Sequence, residues 1–202
     1  MPILVCDTRV EQQLLAERAA SGADRYDEVW EGIYMMAPMP NDEHQQIVSR
    51  LDAILQLTLD WSGLAHVRPG VNVSDRKEDW TSNYRVPDIA VFLRDGSAQN
   101  CDSFWYGGPD FAVEILSPGE VIENKIEFYA KVGVRELLII NRQPWVIELR
   151  RLESGMITAV SHSKIDGEVS HCQTIPFRFS LRTGSHRPAI RVEHESGQSW
   201  DV

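Results

Sequence analysis

Two stretches in the first third of the chain have the polar and apolar pattern of helices. The clearer one follows the capping sequence at 40–43, because apolar residues then recur on one face through about Leu59. These apolar residues are Ile47, Leu51, Ile54 and Leu55. Thr8 and Glu11 form a capping box, which predicts a short amphipathic helix that stops at Gly22.

A third helix is predicted in the middle of the chain. Ser117, Pro118 and Glu120 occupy the cap, first and third helical positions, and Gly133 is a typical stop. The apolar run at 136–140 follows immediately and predicts a buried strand. This part of the chain therefore has a helix followed by a strand.

Apolar runs separated by turn residues predict the remaining strands. Three of them, expected to form the central sheet, are Leu64 to Val73, Arg85 to Leu93 and Phe111 to Leu116. Two hairpins are also predicted, one at 26–37 around Glu31-Gly32 and one that pairs 146–152 with 156–160 across Ser154-Gly155.

The order of helix, three strands, helix and strand predicts an α/β core with a mixed sheet, flanked by an N-terminal helix and extra hairpins. We divide the chain into an N-terminal helical appendage at 1–25, a core at 26–152, and C-terminal strands and loops at 153–202 that pack on the core. The order of the last strands is not predictable from the pattern.

The composition is that of an ordinary globular protein, with 43% hydrophobic and 25% charged residues among 202. The three cysteines, Cys6, Cys101 and Cys172, are far apart and show no zinc-ligand spacing, which indicates free thiols in a reducing compartment. The N-terminus lacks the basic region of an export signal, and no apolar run approaches the roughly 18 residues of a membrane span. We expect a cytoplasmic protein.

The formal net charge of −10 argues against a large nucleic-acid-binding surface, because such surfaces are mostly basic. Arg142, Arg150 and Arg151 form the only basic cluster visible in the sequence. An acidic total can still coexist with a local basic strip. The charge therefore weakens a nucleic-acid function without excluding it.

Asp88 and Glu114 are lone carboxylates inside otherwise apolar strands. Burial of an ionised carboxylate is unfavourable unless a cation or hydrogen-bond donors compensate it. If the two strands are neighbours, both carboxylates can meet at one divalent ion, and Mg²⁺ binds one or two carboxylates together with water and phosphate. A phosphodiester is the natural substrate of such a site.

Lys125 lies on the helix after the Glu114 strand. The chain advances about 10 Å from Glu114 to Ser117 at about 3.3 Å per residue, and an antiparallel helix returns about 10 Å by Lys125. The amine would then lie level with Glu114 and could orient water or stabilise transition-state charge. Equally, Glu114 and Lys125 can form a structural ion pair, and Asp88 can be a strand-end acceptor.

The stretches VWEGIYMMAPMPNDEHQ, YRVPDIAVF, DFAVEILSPG and ENKIEFYAKVGVRELLII together resemble the Uma-two family of putative endonucleases, a branch of the PD-(D/E)XK nuclease superfamily. The resemblance spans about 26–152. It implies a restriction-endonuclease-like core and Mg²⁺-dependent phosphodiester cleavage, with Mn²⁺ able to substitute. It also implies an active site of Asp88, Glu114 and Lys125, with the first two as metal ligands.

The sequence departs from the superfamily pattern at one position, and the resemblance suggests two further candidate site residues. Leu116 occupies the position of the classical lysine, two residues after the second carboxylate, and the family is understood to have moved this lysine to the following helix. Glu31 matches a recurring family glutamate and is either a third carboxylate of the site or an exposed turn acid. His44 is either a phosphate ligand or proton carrier, or else a capping or surface histidine.

Three functions fit the sequence. The first is a metal-dependent endonuclease acting on DNA, expected by resemblance to work as a homodimer. The second is a catalytically inactive, dimeric module with a nuclease fold that binds or regulates, favoured by the acidic charge and the missing strand lysine. The third is a nuclease for RNA or a branched substrate.

Overall fold

A computed structural model gives the architecture and describes residues 8–117, 119 and 122–202. Within these residues the α-helices are α1 (Thr8–Ser21), α2 (Asp42–Leu55) and α3 (Glu123–Val132). A π-helical turn, Gln56–Asp60, continues α2, and a short 3-10 turn lies at Trp80–Ser82.

The strands of the described residues are numbered in chain order. The first are β1 (Glu28–Trp30), β2 (Ile33–Met35), β3 (Ala65–Pro69), β4 (Val73–Ser74), β5 (Tyr84–Arg85), β6 (Ile89–Leu93), β7 (Gln99–Asn100) and β8 (Trp105–Tyr106). The others are β9 (Phe111–Leu116), β10 (Glu136–Arg142), β11 (Trp145–Glu153), β12 (Met156–Ser163), β13 (Ser170–His171), β14 (Phe177–Arg182), β15 (Ala189–His194) and β16 (Ser199–Asp201).

The strands form three sheets. The central sheet has six strands in the order β12-β11-β10-β9-β6-β3, and only the pairing of β9 with β10 is parallel. A smaller sheet has the order β2-β1-β5-β4-β8-β7, and a C-terminal sheet has the order β13-β14-β15-β16. The central sheet is therefore mixed, as predicted.

Each face of the central sheet is covered by a different hydrophobic cluster. One cluster joins α2 and the C-terminal sheet to one face through residues that include Ile47, Leu51, Val113, Phe177 and Val192. The other joins α3 and the smaller sheet to the opposite face through residues that include Ala112, Leu116, Tyr129, Trp105 and Val73. Because successive strand residues alternate between faces, Glu114 lies on the same face as Ala112 and Leu116, beneath α3.

Several predicted elements are confirmed. α2 begins after Asn41, whose side chain accepts a hydrogen bond from the backbone of His44. β1 and β2 form the predicted hairpin, with Glu31 and Gly32 at φ 47° and 82° in the turn. β11 and β12 pair across the turn at 154–155, as expected.

Other predictions need correction. The runs 64–73 and 85–93 do not lie wholly in the central sheet, because each contributes one strand to it and one to the smaller sheet. α3 begins at Glu123 and not at Ser117, and the proposed capping residues Pro118 and Glu120 lie outside the described residues.

The helix α1 occurs where it was predicted, but none of its residues is buried. Leu14 and Leu15 lie on a half-buried face of the helix, but neither of the two hydrophobic clusters includes them. Its attachment is polar instead, because the Arg18 guanidinium donates to both oxygens of the buried Asp27 carboxylate and to the carbonyl oxygen of Ala37.

Two further predictions concern cysteines and membranes. Cys101 and Cys172 are free thiols, as predicted, and Cys6 lies outside the described residues. In the part of the chain that the structure describes, no helix has the length and apolar character needed to cross a membrane.

Candidate active site

The register between β6 and β9 brings Asp88 and Glu114 together. Ile89 of β6 pairs with Val113 of β9 in an antiparallel ladder, so Asp88, one residue earlier, comes opposite Glu114. Directly opposed side chains of an antiparallel pair share one face, with Cβ atoms about 4.5–5.5 Å apart. The backbone N–H of Ile115 donates to Asp88 Oδ2 at 2.7 Å and fixes that carboxylate against β9.

Glu114 is a buried carboxylate with two donors from α3. Every residue of β9 is buried, and the Glu114 side chain is 5% exposed. Lys125 Nζ lies 3.3 Å from Oε1 and 3.5 Å from Oε2, and the Tyr129 hydroxyl donates to Oε1. Lys125 and Tyr129 are four residues apart and therefore project from the same face of α3.

The same lysine also contacts an acid from the β1 hairpin. Lys125 Nζ lies 3.0 Å from Oε1 of Glu28, and this carboxylate is only 7% exposed. The backbone N–H of Val86 donates to Glu28 Oε1 at 2.9 Å, and the indole N–H of Trp30 donates to Oε2 at 2.7 Å. Glu28 was not among the predicted site residues, because it follows Asp27 in the hairpin and so lacks the signal that identified Asp88 and Glu114, a lone carboxylate inside an apolar strand.

Burial raises the pKa of Glu114 from its ordinary 4.5 to about 8. The Lys125 ammonium lowers this pKa, while the negative charges of Asp88 and Glu28 raise it further. Burial, followed by the charge of Glu114, raises the pKa of Tyr129 well above 10. Desolvation thus outweighs the nearby amine, and the cluster holds more negative charge than Lys125 compensates.

His44 lies at the edge of this cluster, in the first turn of α2. Its Nε2 is 2.9 Å from Asp88 Oδ1, while its backbone N–H donates to Asn41 Oδ1 at 3.0 Å as part of the helix cap. Its Nδ1 is buried without a hydrogen-bond partner in residues 8–117, 119 and 122–202. The imidazole therefore contacts the acidic cluster through Nε2, while Nδ1 faces the protein interior.

Glu31 lies in the hairpin turn and faces a different group of residues. Its side chain is 64% exposed, and it accepts hydrogen bonds from Arg76 and from Asn83 Nδ2, each at 2.9 Å. Lys131 Nζ is a further neighbour at 3.9 Å. From this hairpin, it is Glu28 that contacts Lys125.

The donor chemistry of the cluster fits a hard divalent cation. Asp88 and Glu114 offer carboxylate oxygens, and Mg²⁺ needs only one or two of these because it retains water and binds substrate phosphate. A cation would also compensate the charge that raises the pKa of Glu114. Among the described residues, no group of three or more His, Cys, Asp or Glu is arranged to hold a metal ion, so a bound ion would have few protein ligands.

The mixed central sheet, with helices on both faces and two acids on adjacent strands, defines a restriction-endonuclease-like α/β fold. The chain belongs to the Uma2 family, described as "Putative restriction endonuclease", whose profile matches residues 12–184. This is the family that the sequence motifs predicted.

The fold is similar to that of a solved protein from Anabaena variabilis, described as "a putative nuclease belonging to DUF820". The TM-score is 0.58 at 18% sequence identity, over 73% of this chain and 82% of that one. At this identity the likeness concerns the fold alone. A comparison with curated proteins gave no match.

Proposed function

We propose that this protein is a metal-dependent endonuclease that hydrolyses phosphodiester bonds of DNA. The observation that supports the proposal is the convergence of Asp88, directly before β6, Glu114 in the adjacent β9, and Lys125 in α3. Asp88 and Glu114 would hold Mg²⁺, with Mn²⁺ able to replace it. When bound, the ion supplies Lewis-acid activation of water and phosphate.

Lys125 would stabilise the negative charge that develops on the phosphate oxygens. Its amine is held beside Glu114 in a site where the side chain is only 12% exposed. A fixed cation in a poorly hydrated site stabilises such charge more strongly than it would in water. Leu116, at the classical lysine position, packs in the hydrophobic cluster under α3, so Lys125 is the amine available to this site.

His44 would act as a proton carrier beside Asp88. A proton would pass through Nε2, which lies 2.9 Å from Asp88 Oδ1, because Nδ1 is buried away from water. For Glu31, the family resemblance still suggests a place in the site, while its partners Arg76 and Asn83 favour a role in the hairpin turn.

A local basic region near the site reduces the conflict with the net charge of −10. Arg142 Nη1 lies 3.0 Å from Oε2 of Glu43, and Arg187 Nε lies 3.6 Å from Oε1 of the same carboxylate. Glu43 directly precedes His44, so two guanidiniums meet around one acid next to the site. The Arg142 side chain is only 5% exposed and donates to Asn41 and Glu43. We therefore propose that Arg187, at 19%, is the member of this region that contacts the phosphate backbone of the substrate.

The basic cluster visible in the sequence is dispersed in the fold. Arg142 is the member near the site, where it also donates to the carbonyl oxygen of Leu116 at 3.3 Å. Arg150 pairs with Glu148, and Arg151 pairs with the buried Glu136. The local basic region therefore depends on Arg187, which is distant from Arg142 in the sequence.

Nicking of supercoiled plasmid in Mg²⁺ or Mn²⁺ tests the proposal. We expect wild type to nick the plasmid and Asp88→Ala and Lys125→Met to lose at least about 100-fold of the rate, as expected for loss of a catalytic electrostatic group. Thermal unfolding of each variant controls for loss of fold. Equal nicking by wild type and Asp88→Ala would remove the assignment of the site.

The acidic charge and Leu116 at the classical lysine position favour a second candidate, a dimeric module with a nuclease fold that binds or regulates without catalysis. Manganese titration separates the two. A metal-dependent nuclease is stabilised against unfolding by Mn²⁺ through its carboxylates, whereas a module without a metal site is not. Parallel assays on RNA and branched DNA distinguish the substrates.

We further propose a homodimer located in the cytoplasm. The dimer follows from the resemblance to enzymes that cut both strands with two subunits, and the location follows from the free thiols of Cys101 and Cys172. Sedimentation equilibrium of the purified protein tests the dimer. A mass equal to one chain across micromolar concentrations would contradict it.

A further inference from the structure

We infer that Glu28 is a positioning residue that holds the Lys125 amine over Glu114 and does not bind the metal. The inference rests on the proposed function, since it assigns a role within the same site. It goes beyond that function because it assigns different roles to the three acids of the cluster. Asp88 and Glu114 would bind the metal, whereas Glu28 would hold the Lys125 amine.

The contacts of Glu28 carry the inference. Its Oε1 accepts from the Val86 backbone N–H at 2.9 Å and lies 3.0 Å from Lys125 Nζ, while its Oε2 accepts from Trp30 at 2.7 Å. Three donors thus occupy three of the roughly four acceptor positions of this buried carboxylate, against two donors on Asp88, from His44 and Ile115. Both positions of Oε1 are filled, so binding of an ion by Oε1 would displace the Val86 N–H or the Lys125 amine and leave it buried without this partner, which is unfavourable.

The distances favour Glu28 as a principal anchor of the amine. Lys125 Nζ is 3.0 Å from Glu28 but 3.3 Å and 3.5 Å from the two oxygens of Glu114. The amine thus lies between two carboxylates from different sheets, β1 on one side and β9 on the other. An ammonium group held from two directions has less freedom to rotate away from the reacting phosphate.

A buried arginine, Arg85, lies near Glu28. Arg85 lies 4.5 Å from the ring centroid of Trp30 and 4.3 Å from that of Phe128, so its guanidinium is held between two aromatic rings. Its positive charge interacts with that of Glu28. The Val86 N–H that donates to Glu28 lies two residues before Asp88. Glu28 therefore links the segment that carries Asp88 to Lys125.

Glu28→Gln is the informative substitution. Glutamine keeps the volume and an acceptor for the Val86 N–H, and it removes the charge that faces Lys125. We expect kcat for plasmid nicking to fall about 10- to 100-fold, which is typical for loss of a supporting residue around an active site. The KM for DNA and the affinity for Mn²⁺ should stay within about threefold of wild type, because neither Arg187 nor the proposed metal ligands change.

Two results of this assay would overturn the inference. A loss of Mn²⁺ affinity comparable to that of Asp88→Ala would make Glu28 a metal ligand. An unchanged kcat would remove its link to catalysis. Glu153→Gln, at an exposed position at the end of β11, is the matched control and should behave like wild type.

A second measurement does not depend on nuclease activity. Acylation of lysines by a small anhydride, followed by mass spectrometry, reports how freely each amine reacts. In Glu28→Gln, loss of a charged hydrogen bond should raise the acylation rate of Lys125 about 10-fold, while Lys131, 59% exposed and bound to Asp75, stays unchanged. The same rate in wild type and variant would show that Glu28 does not hold the amine.

The two measurements separate the inference from the proposed function. If wild type has no nuclease activity but Lys125 becomes reactive in Glu28→Gln, the nuclease proposal fails while the positioning contact stands. If wild type cleaves DNA and neither kcat nor lysine reactivity changes in the variant, the nuclease proposal stands and the positioning role is rejected.

Discussion

The raised pKa of Glu114 makes a specific prediction about stability and pH. Burial raises this pKa from 4.5 to about 8. Between these pH values the unfolded chain releases the proton of Glu114 while the folded protein retains it, so ionisation favours the unfolded state. Below pH 4.5 Glu114 is protonated in both states, so its burial as the neutral acid contributes fully to the free energy of unfolding. This contribution is lost as pH rises through about 8.

The magnitude follows from linkage. One pKa unit corresponds to about 1.4 kcal/mol, so the displacement of Glu114 corresponds to at most about 5 kcal/mol of free energy of unfolding lost by pH 8. Glu114→Gln has no proton to release at this position. Its free energy of unfolding, relative to wild type, should therefore increase by several kcal/mol between pH 5 and pH 8.5.

Urea unfolding of both proteins across this range, in EDTA, measures the effect. Tyr129, whose pKa Glu114 also raises, has a pKa well above 10 and stays protonated in this range, so the change with pH in the difference between the two free energies reports on the acidic cluster around Glu114. Glu153→Gln should show a difference that does not change with pH. A constant difference between wild type and Glu114→Gln would refute the reasoning, because it would mean that Glu114 titrates alike in the folded and unfolded states.

Three further predictions concern the fold and the metal. Glu136→Ala should reduce the free energy of unfolding by about 1.5–3 kcal/mol in urea unfolding, because it removes the buried carboxylate that accepts from Arg151 and from the backbone N–H groups of Gln173 and Thr174. Saturating Mn²⁺ at 100 times its Kd should stabilise wild type by about 2.7 kcal/mol, but not Asp88→Ala, in thermal unfolding. Gly108→Ala should destabilise by about 1–3 kcal/mol in the same urea assay, because its Cβ would lie 2.8 Å from the backbone nitrogen of Val134.

The elements that sequence patterns predicted well are those with strong local signals. α2 has a cap at Asn41 and an apolar face, and the hairpin of β1 and β2 has turn residues that tolerate positive φ. The proximity of Lys125 to Glu114 was predicted from the rises of strand and helix, and it is confirmed at 3.3 Å, although α3 begins five residues after Pro118. The proximity is right but the estimate accounts for it only in part, because α3 supplies just the two rises from Glu123 to Lys125, about 3 Å of the roughly 10 Å return.

Features that depend on tertiary contacts were missed. Glu28 lies among several acids of one short hairpin, and only the packing of β1 against β5 shows which of them points to Lys125. The strand order of the C-terminal sheet was not predicted, although Phe177, Phe179 and Leu181 alternate as buried residues of β14. Short strands separated by loops give no local indication of their partners.

The opposition of Asp88 and Glu114 through the β6–β9 ladder has a consequence for how this protein can vary. Any chain that completes these backbone hydrogen bonds in register places both acids side by side, and a slip of one residue would turn one of them to the other face. Correct pairing of β6 with β9 during folding therefore also brings Asp88 and Glu114 together. The amine arrives by a separate route, so changes in the length of the segment leading to α3 should inactivate the protein while leaving its core and its acids intact.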